Sequence, residues 1–119
     1  MYYFAYGVVA LNYSKNPLYR NMKLISSEAW VYGRLYDTGL GFPAMTEGES
    51  KVHGKLLQID EEQLSALASL AANFDELNEP FRFTLHSLPV YTPLSAYEAL
   101  VFVYEDAEGL PPIEDGIWR

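Results

Sequence analysis

The sequence predicts an α+β domain or small barrel of about five or six strands with one well-marked helix. Three observations carry this. The N-terminus alternates aromatic and small residues with a period of two, residues 60–64 hold a complete helix-start signal, and several later runs are aromatic and β-branched. At 119 residues the chain is one domain, 1–119, long enough for a single core.

The elements follow in order. Tyr2, Phe4 and Tyr6 alternate with Tyr3, Ala5 and Gly7, and both sets are apolar or small, which predicts a central first strand covered on both faces. Asn12 to Asn21 reads as a loop or a single helical turn. Lys23 to Tyr36 suits a strand through its aromatic and β-branched content, and Asp37 to Gly41 is a turn. Met45 to Lys51 reads as an exposed turn, followed by a strand from Val52 to Ile59 in which Gly54 marks a bulge or a close backbone approach.

Asp60 is placed to cap a helix, with Glu61 and Glu62 at its positive end. Gln63 completes the capping box and Ile59 staples onto Leu64. Leu64, Leu67, Ala68 and Ala71 form the apolar stripe, and the helix is expected to stop near Asn73. A strand from Phe81 to His86 follows, then a turn-rich segment bracketed by Pro89 and Pro93, then a buried strand from Tyr97 to Tyr104. The tail from Gly109 is too rich in proline and glycine for a regular element, but Ile113, Ile117 and Trp118 give it handles for packing back on the body.

Charge and composition narrow the function. The net charge of −8 and pI near 4.6 disfavour nucleic acid and anionic membrane surfaces. No run of about 20 apolar residues or secretory signal is evident, so the expected setting is the cytoplasm without a membrane partner. The absence of cysteine removes disulfides, thiol nucleophiles and thiolate metal sites. His53 and His86 have no second ligand at a recognised spacing, so no metal is expected, and each reads as a strand residue with an ordinary hydrogen bond. There is no Gly-rich phosphate cradle and no serine elbow.

What remains is a strand ending in glycine, a Tyr-Asp-x-Gly turn and a cluster of acids after the helix. Tyr3-Phe4-Ala5-Tyr6-Gly7, Gly33-Arg-Leu-Tyr36-Asp37-x-Gly39, Phe42-Pro43, Val52-x-Gly54-Lys-Leu-Leu-x-Ile59 and the helix before Phe81-Arg82 resemble, in this order, the gamma-glutamylcyclotransferase-like family. Glu108-Gly-Leu-x-x-Ile113-x-x-Gly116-x-Trp118 resembles the ending of a short bacterial branch of it.

The resemblance implies a compact mixed β-barrel with flanking helices and a pocket at the end of the first strand. It also implies an acyltransferase-class reaction in which the α-amine of a γ-glutamyl group attacks its own side-chain carbonyl, releasing 5-oxoproline and the attached amine. On this reading Tyr6, Gly7, Val8, Val9 and Ala10 form the substrate-binding loop, whose backbone N–H groups hold the substrate carboxylate. The base is Glu76 or Asp75, with Glu79 as a further alternative, and Tyr36, Asp37, Glu79 and Phe81 are candidate pocket residues. An acid in an apolar pocket becomes a stronger base through desolvation, and ring closure gains from being intramolecular. No cofactor is expected, and the ligand is a small γ-glutamyl or other carboxylate compound.

Two departures from the family pattern keep alternatives open. Val8-Val9 stand where the family usually has serine or threonine and often asparagine or leucine, so a hydroxyl worth about 0.5–1.5 kcal/mol is missing, or the valines extend a buried strand. The acids also serve equally well as a solvated turn. A non-catalytic carboxylate-binding or regulatory module on the same fold is the second reading, and an interaction protein using Trp118 and the apolar tail is the third.

Overall fold

The fold was read from a computed structural model that describes residues 1–7, 21–39, 43–77, 83–104, 107 and 109–118; the side chains of 70–77 and 83 are outside the description. The elements are β1 (Tyr2–Ala5), β2 (Lys23–Asp37), β3 (Pro43–Glu47), β4 (Ser50–Gln58), α1 (Glu61–Leu77), β5 (Phe83–Tyr91), β6 (Ala96–Tyr104) and β7 (Pro112–Ile113). The loop expected over residues 12–20 lies outside the described residues.

Strands β2, β4, β1, β6 and β5 follow one another, and β2 meets β5 again at Trp30↔Tyr91, which closes a five-stranded barrel. The barrel is mixed because β1 runs antiparallel to β4 but parallel to β6, with Tyr3 level with Leu100. Among the described residues one helix flanks it.

β1 is central and covered on both faces, as its alternation predicts. Phe4 enters an interior cluster with Val31, Leu35, Met45, Val52, Leu56 and Val101. Tyr3 and Ala5 face an outer cluster with Leu57, Ile59, Phe102 and the helical Leu67. Gly54 marks a close approach rather than a loose bulge: a Cβ there would collide with the Ala5 carbonyl oxygen and stand 2.8 Å from the Phe4 ring. The irregularities in this ribbon fall on β2, between Leu24 and Ser26 and between Ser26 and Ala29.

α1 begins as its sequence dictates. Asp60 Oδ1 accepts from the Gln63 N–H at 2.8 Å, the Asp60 N–H donates to Gln63 Oε1 at 3.0 Å, and Ile59 and Leu64 belong to the same outer cluster. It ends later than expected, at Leu77 and not near Asn73. Nothing from Phe74 to Leu77 breaks a helix; Pro80 is the first residue to lack a backbone donor. Leu67 is buried, but Ala68 is exposed, so the stripe is narrower than predicted.

Three further expectations are corrected. Residues 45–51 do not form an exposed turn, because β3 pairs with β2 from Gly33↔Glu47 to Asp37↔Pro43 and buries Ala44 and Met45. Alternation is too short there to signal a strand, and the hairpin with β2 supplies what propensity does not. Pro89 lies within β5, opposite Glu98; β5 is registered with β2 only at Tyr91, so at Pro89 no second ladder needs its missing donor. The turn is Thr92 to Ser95, closed by the Thr92 N–H on the Ser95 carbonyl at 2.8 Å.

The tail contains a short strand, β7, registered with Leu35 and Tyr36 of β2, while Ile113 and Trp118 pack against the interior cluster and Ile117 is exposed. Gly33 is registered with both Glu47 and Ser50, so the Gly48-Glu49 link carries the chain from one edge of β2 to the other. A Cβ at Gly48 would stand 2.5 Å from Arg34 Cγ and 3.0 Å from the Gly33 carbonyl carbon, so a larger residue at this crossing would have to displace the Arg34 side chain.

Candidate functional site

The crossing places β3 in the gap that β2 and β5 leave as they diverge, and this assembles the corner where β1 ends. Gly7 closes β1 with φ +76, a left-handed conformation that disfavours any side chain. A Cβ at Gly7 would stand 2.5 Å from Cγ and 2.6 Å from Cδ of Pro43, the first residue of β3. Gly7 is thus required twice, by its turn and by the proline packed on it.

Tyr6 braces the same corner. Its hydroxyl donates to the Phe102 carbonyl on β6 at 2.6 Å, and the Met45 N–H on β3 donates to its oxygen. It therefore bridges two strands with no registered pairing to each other. Burial, with the Tyr104 phenol second, pushes the Tyr6 hydroxyl well above its usual pKa, and the Met45 N–H pulls weakly the other way. Burial also raises Tyr104, the last residue of β6.

Beside Tyr104 opens a groove of about 320 Å3 between β3 and the β5–β6 hairpin, lined by Thr46, Glu47, His86, Val103 and Tyr104. The His86 ring Nε2 lies 2.8 Å from the Thr84 hydroxyl, the ordinary bond its sequence context predicts. The sequence reading singled out neither Glu47 nor Tyr104 for this corner. Glu47 reaches the groove only because β3 crosses to this edge, and Tyr104 only because β6 runs parallel to β1, and neither pairing leaves a local signal.

Of the residues expected here, Tyr6 and Gly7 come together as described, whereas Val8, Val9, Ala10, Glu79 and Phe81 lie outside the described residues. Asp37 is registered with Pro43 and so sits one strand from Gly7, but its Oδ1 accepts from the Gly39 N–H at 2.8 Å and shapes the turn. Tyr36 lies on the outer face, with the Arg34 guanidinium 6.0 Å from its ring centroid. Asp75 and Glu76 occupy the last turn of α1. At about 100° per residue, position 75 lies about 80° around the helix from buried Leu67 and position 76 about 180°.

Comparison with known proteins places this architecture. The chain belongs to the family described as gamma-glutamyl cyclotransferase, AIG2-like, which it matches over residues 3–119. It is 36% identical over 72 residues to a Halalkalibacterium halodurans protein provisionally named a gamma-glutamylcyclotransferase, a stretch covering 58% of this chain and 65% of that relative. Among solved structures it resembles ytfP from Escherichia coli at 27% identity and TM-score 0.69, covering 99% of this chain and 96% of that one. YkqA from Bacillus subtilis shares the fold at 20% identity and TM-score 0.71; the match covers 98% of this chain and 39% of YkqA. The mixed barrel expected from the sequence is the fold observed. Among the described residues no helix is long and apolar enough to cross a membrane.

Proposed function

We propose that this protein is a gamma-glutamylcyclotransferase that releases 5-oxoproline from a γ-glutamyl amine or small γ-glutamyl peptide. The observation that carries the reading is the corner at Gly7, where a left-handed glycine ends a buried strand against Pro43 and the neighbouring Tyr6 hydroxyl lies near Tyr104, one of the residues that line the groove. A backbone turn of this kind presents N–H groups to an anion without a cationic side chain, which suits the carboxylate of a γ-glutamyl group.

The chemistry is an intramolecular acyl transfer. A carboxylate takes a proton from the substrate ammonium, and the freed amine attacks the γ-carbonyl carbon to close a five-membered ring. The bond to the leaving amine then breaks as that nitrogen gains a proton. Folding the chain so that amine and carbonyl meet supplies much of the acceleration. Asp75, Glu76 and Glu79 are the candidate bases, and the loop 7–10 is the proposed carboxylate site. A cytoplasmic setting and a small carboxylate ligand, without nucleic acid or membrane, belong to the same proposal.

The test is to incubate purified protein with γ-glutamyl amines and measure 5-oxoproline, then repeat with Asp75→Asn, Glu76→Gln and Glu79→Gln. Loss of turnover in one variant identifies the base, and turnover that persists in all three rejects this mechanism. The second reading, a carboxylate-binding module without chemistry, is favoured by Val8-Val9, which lack the hydroxyl the family usually carries. Saturable binding of a γ-glutamyl amine without turnover supports that reading instead.

A further inference from the structure

We propose that Glu47 selects substrates whose leaving amine carries a second, cationic nitrogen, so that the preferred γ-glutamyl amine is a monoacylated diamine. This rests on the cyclotransferase reading and names which of its substrate classes the groove takes. Glu47 ends β3, two residues after Met45, and so falls on the face that Met45 turns into the barrel. Its cross-strand neighbour is Gly33, which has no side chain to cover it. Glu47 is exposed and lines the groove with Val103 and Tyr104.

The rest of the lining suits the chain between two nitrogens. Val103 and the Tyr104 ring offer hydrocarbon for methylene groups to pack on, and none of the described lining residues is Lys or Arg. His86, the remaining basic side chain there, has its Nε2 2.8 Å from the Thr84 hydroxyl on its own strand. Arg34 is registered with Thr46, whose side chain alternates to the other face of β3, and its guanidinium lies 6.0 Å from the Tyr36 ring centroid. A γ-glutamyl amino acid would instead bring its own carboxylate against Glu47, so one residue attracts one class and repels the other. The net charge of −8 adds to the same preference at a distance.

The spacing agrees. Pro43, packed on Gly7, and Glu47 are the two ends of β3, so about 13 Å separates them along the strand. A γ-glutamyl head with its carboxylate at the Gly7 corner, followed by a chain of about four or five methylenes, covers about that distance.

The probes are the γ-glutamyl conjugates of 1,5-diaminopentane, hexylamine and 6-aminohexanoate, which share one methylene chain and end in an ammonium, a methyl and a carboxylate. With the intact protein, kcat/KM for 5-oxoproline release is measured for each, and, where nothing is released, Kd by titration calorimetry. The ammonium compound is expected to exceed the carboxylate one by about tenfold at low salt, with the methyl one between, because an exposed charge shifts each by up to about fivefold. The ratio should shrink as salt screens the charges. Glu47→Gln should bring the ammonium-to-carboxylate ratio to within about twofold of unity and Glu47→Lys should invert it, whereas Glu98→Gln, an exposed acid of β6 away from the groove, should keep it. Equal kcat/KM for the three compounds, or a ratio that survives Glu47→Gln, overturns this proposal and leaves the cyclotransferase reading standing. No release but the same order in Kd overturns that reading and keeps the role of Glu47. No release and no ordered binding overturns both.

Discussion

The hydroxyl of Tyr6 donates to the carbonyl of Phe102 at 2.6 Å, joining residues 96 positions apart in the chain. Because the Met45 N–H meets the same oxygen, one phenol satisfies backbone groups on β3 and β6. Tyr6→Phe leaves both without this partner and is expected to cost about 1–3 kcal/mol in urea unfolding. An unchanged midpoint and slope would show that water replaces the phenol at no cost.

Burial holds the hydroxyls of Tyr6 and Tyr104 above their ordinary value of 10.0. Below that pH both folded and unfolded chains keep these protons. Above it the unfolded chain ionises while the folded one resists, so the unfolded state binds fewer protons and stability falls as pH rises. Urea midpoints measured from about pH 8 to pH 11 should be flat with respect to these groups and then decline from about pH 10, less steeply in Tyr6→Phe.

Gly7→Ala is expected to lower both stability and 5-oxoproline release. Left-handed backbone costs about 1–2 kcal/mol for a residue with a Cβ, and the Pro43 ring adds a steric term. Thermal melting and turnover should fall together. A fully stable, fully active variant would remove Gly7 from the proposed site.

Gly39 and Gly116 separate the two causes that Gly7 combines. Both have left-handed φ, +77 and +67, but a Cβ at Gly39 meets nothing within 4 Å, whereas at Gly116 it collides with the Lys51 carbonyl oxygen. Gly39→Ala should cost about 1–2 kcal/mol, and Gly116→Ala distinctly more. The Gly116 carbonyl also accepts from the His53 N–H at 2.9 Å, so hydrogen exchange at His53 should rise in Gly116→Ala.

The barrel closes at Trp30↔Tyr91, the one registered pair between β2 and β5. The Tyr91 ring stacks on Trp30 at 6.3 Å between centroids and meets Tyr32 edge-on at 5.6 Å. Tyr91→Ala is expected to cost about 2 kcal/mol and Tyr91→Phe close to nothing, because the rings and not the hydroxyl make the clasp. Equal losses in the two variants would shift the role to the hydroxyl.

Local chemistry alone determined a good part of this protein. The Asp60–Gln63 cap, the aromatic alternation of β1 and the apolar runs of β4 and β6 each rest on residues within a few positions, so they are legible along the chain. The family resemblance is legible for the same reason, since its motifs are short turns and strand ends. What only the tertiary structure decided is where these pieces meet: β3 as a strand, the crossing at Gly33 and Gly48, Pro43 against Gly7, and Glu47 with Tyr104 on one groove. Those depend on pairings between residues far apart in the chain. Such pairings are chosen by the summed burial of the whole barrel, and no local window of residues encodes that sum.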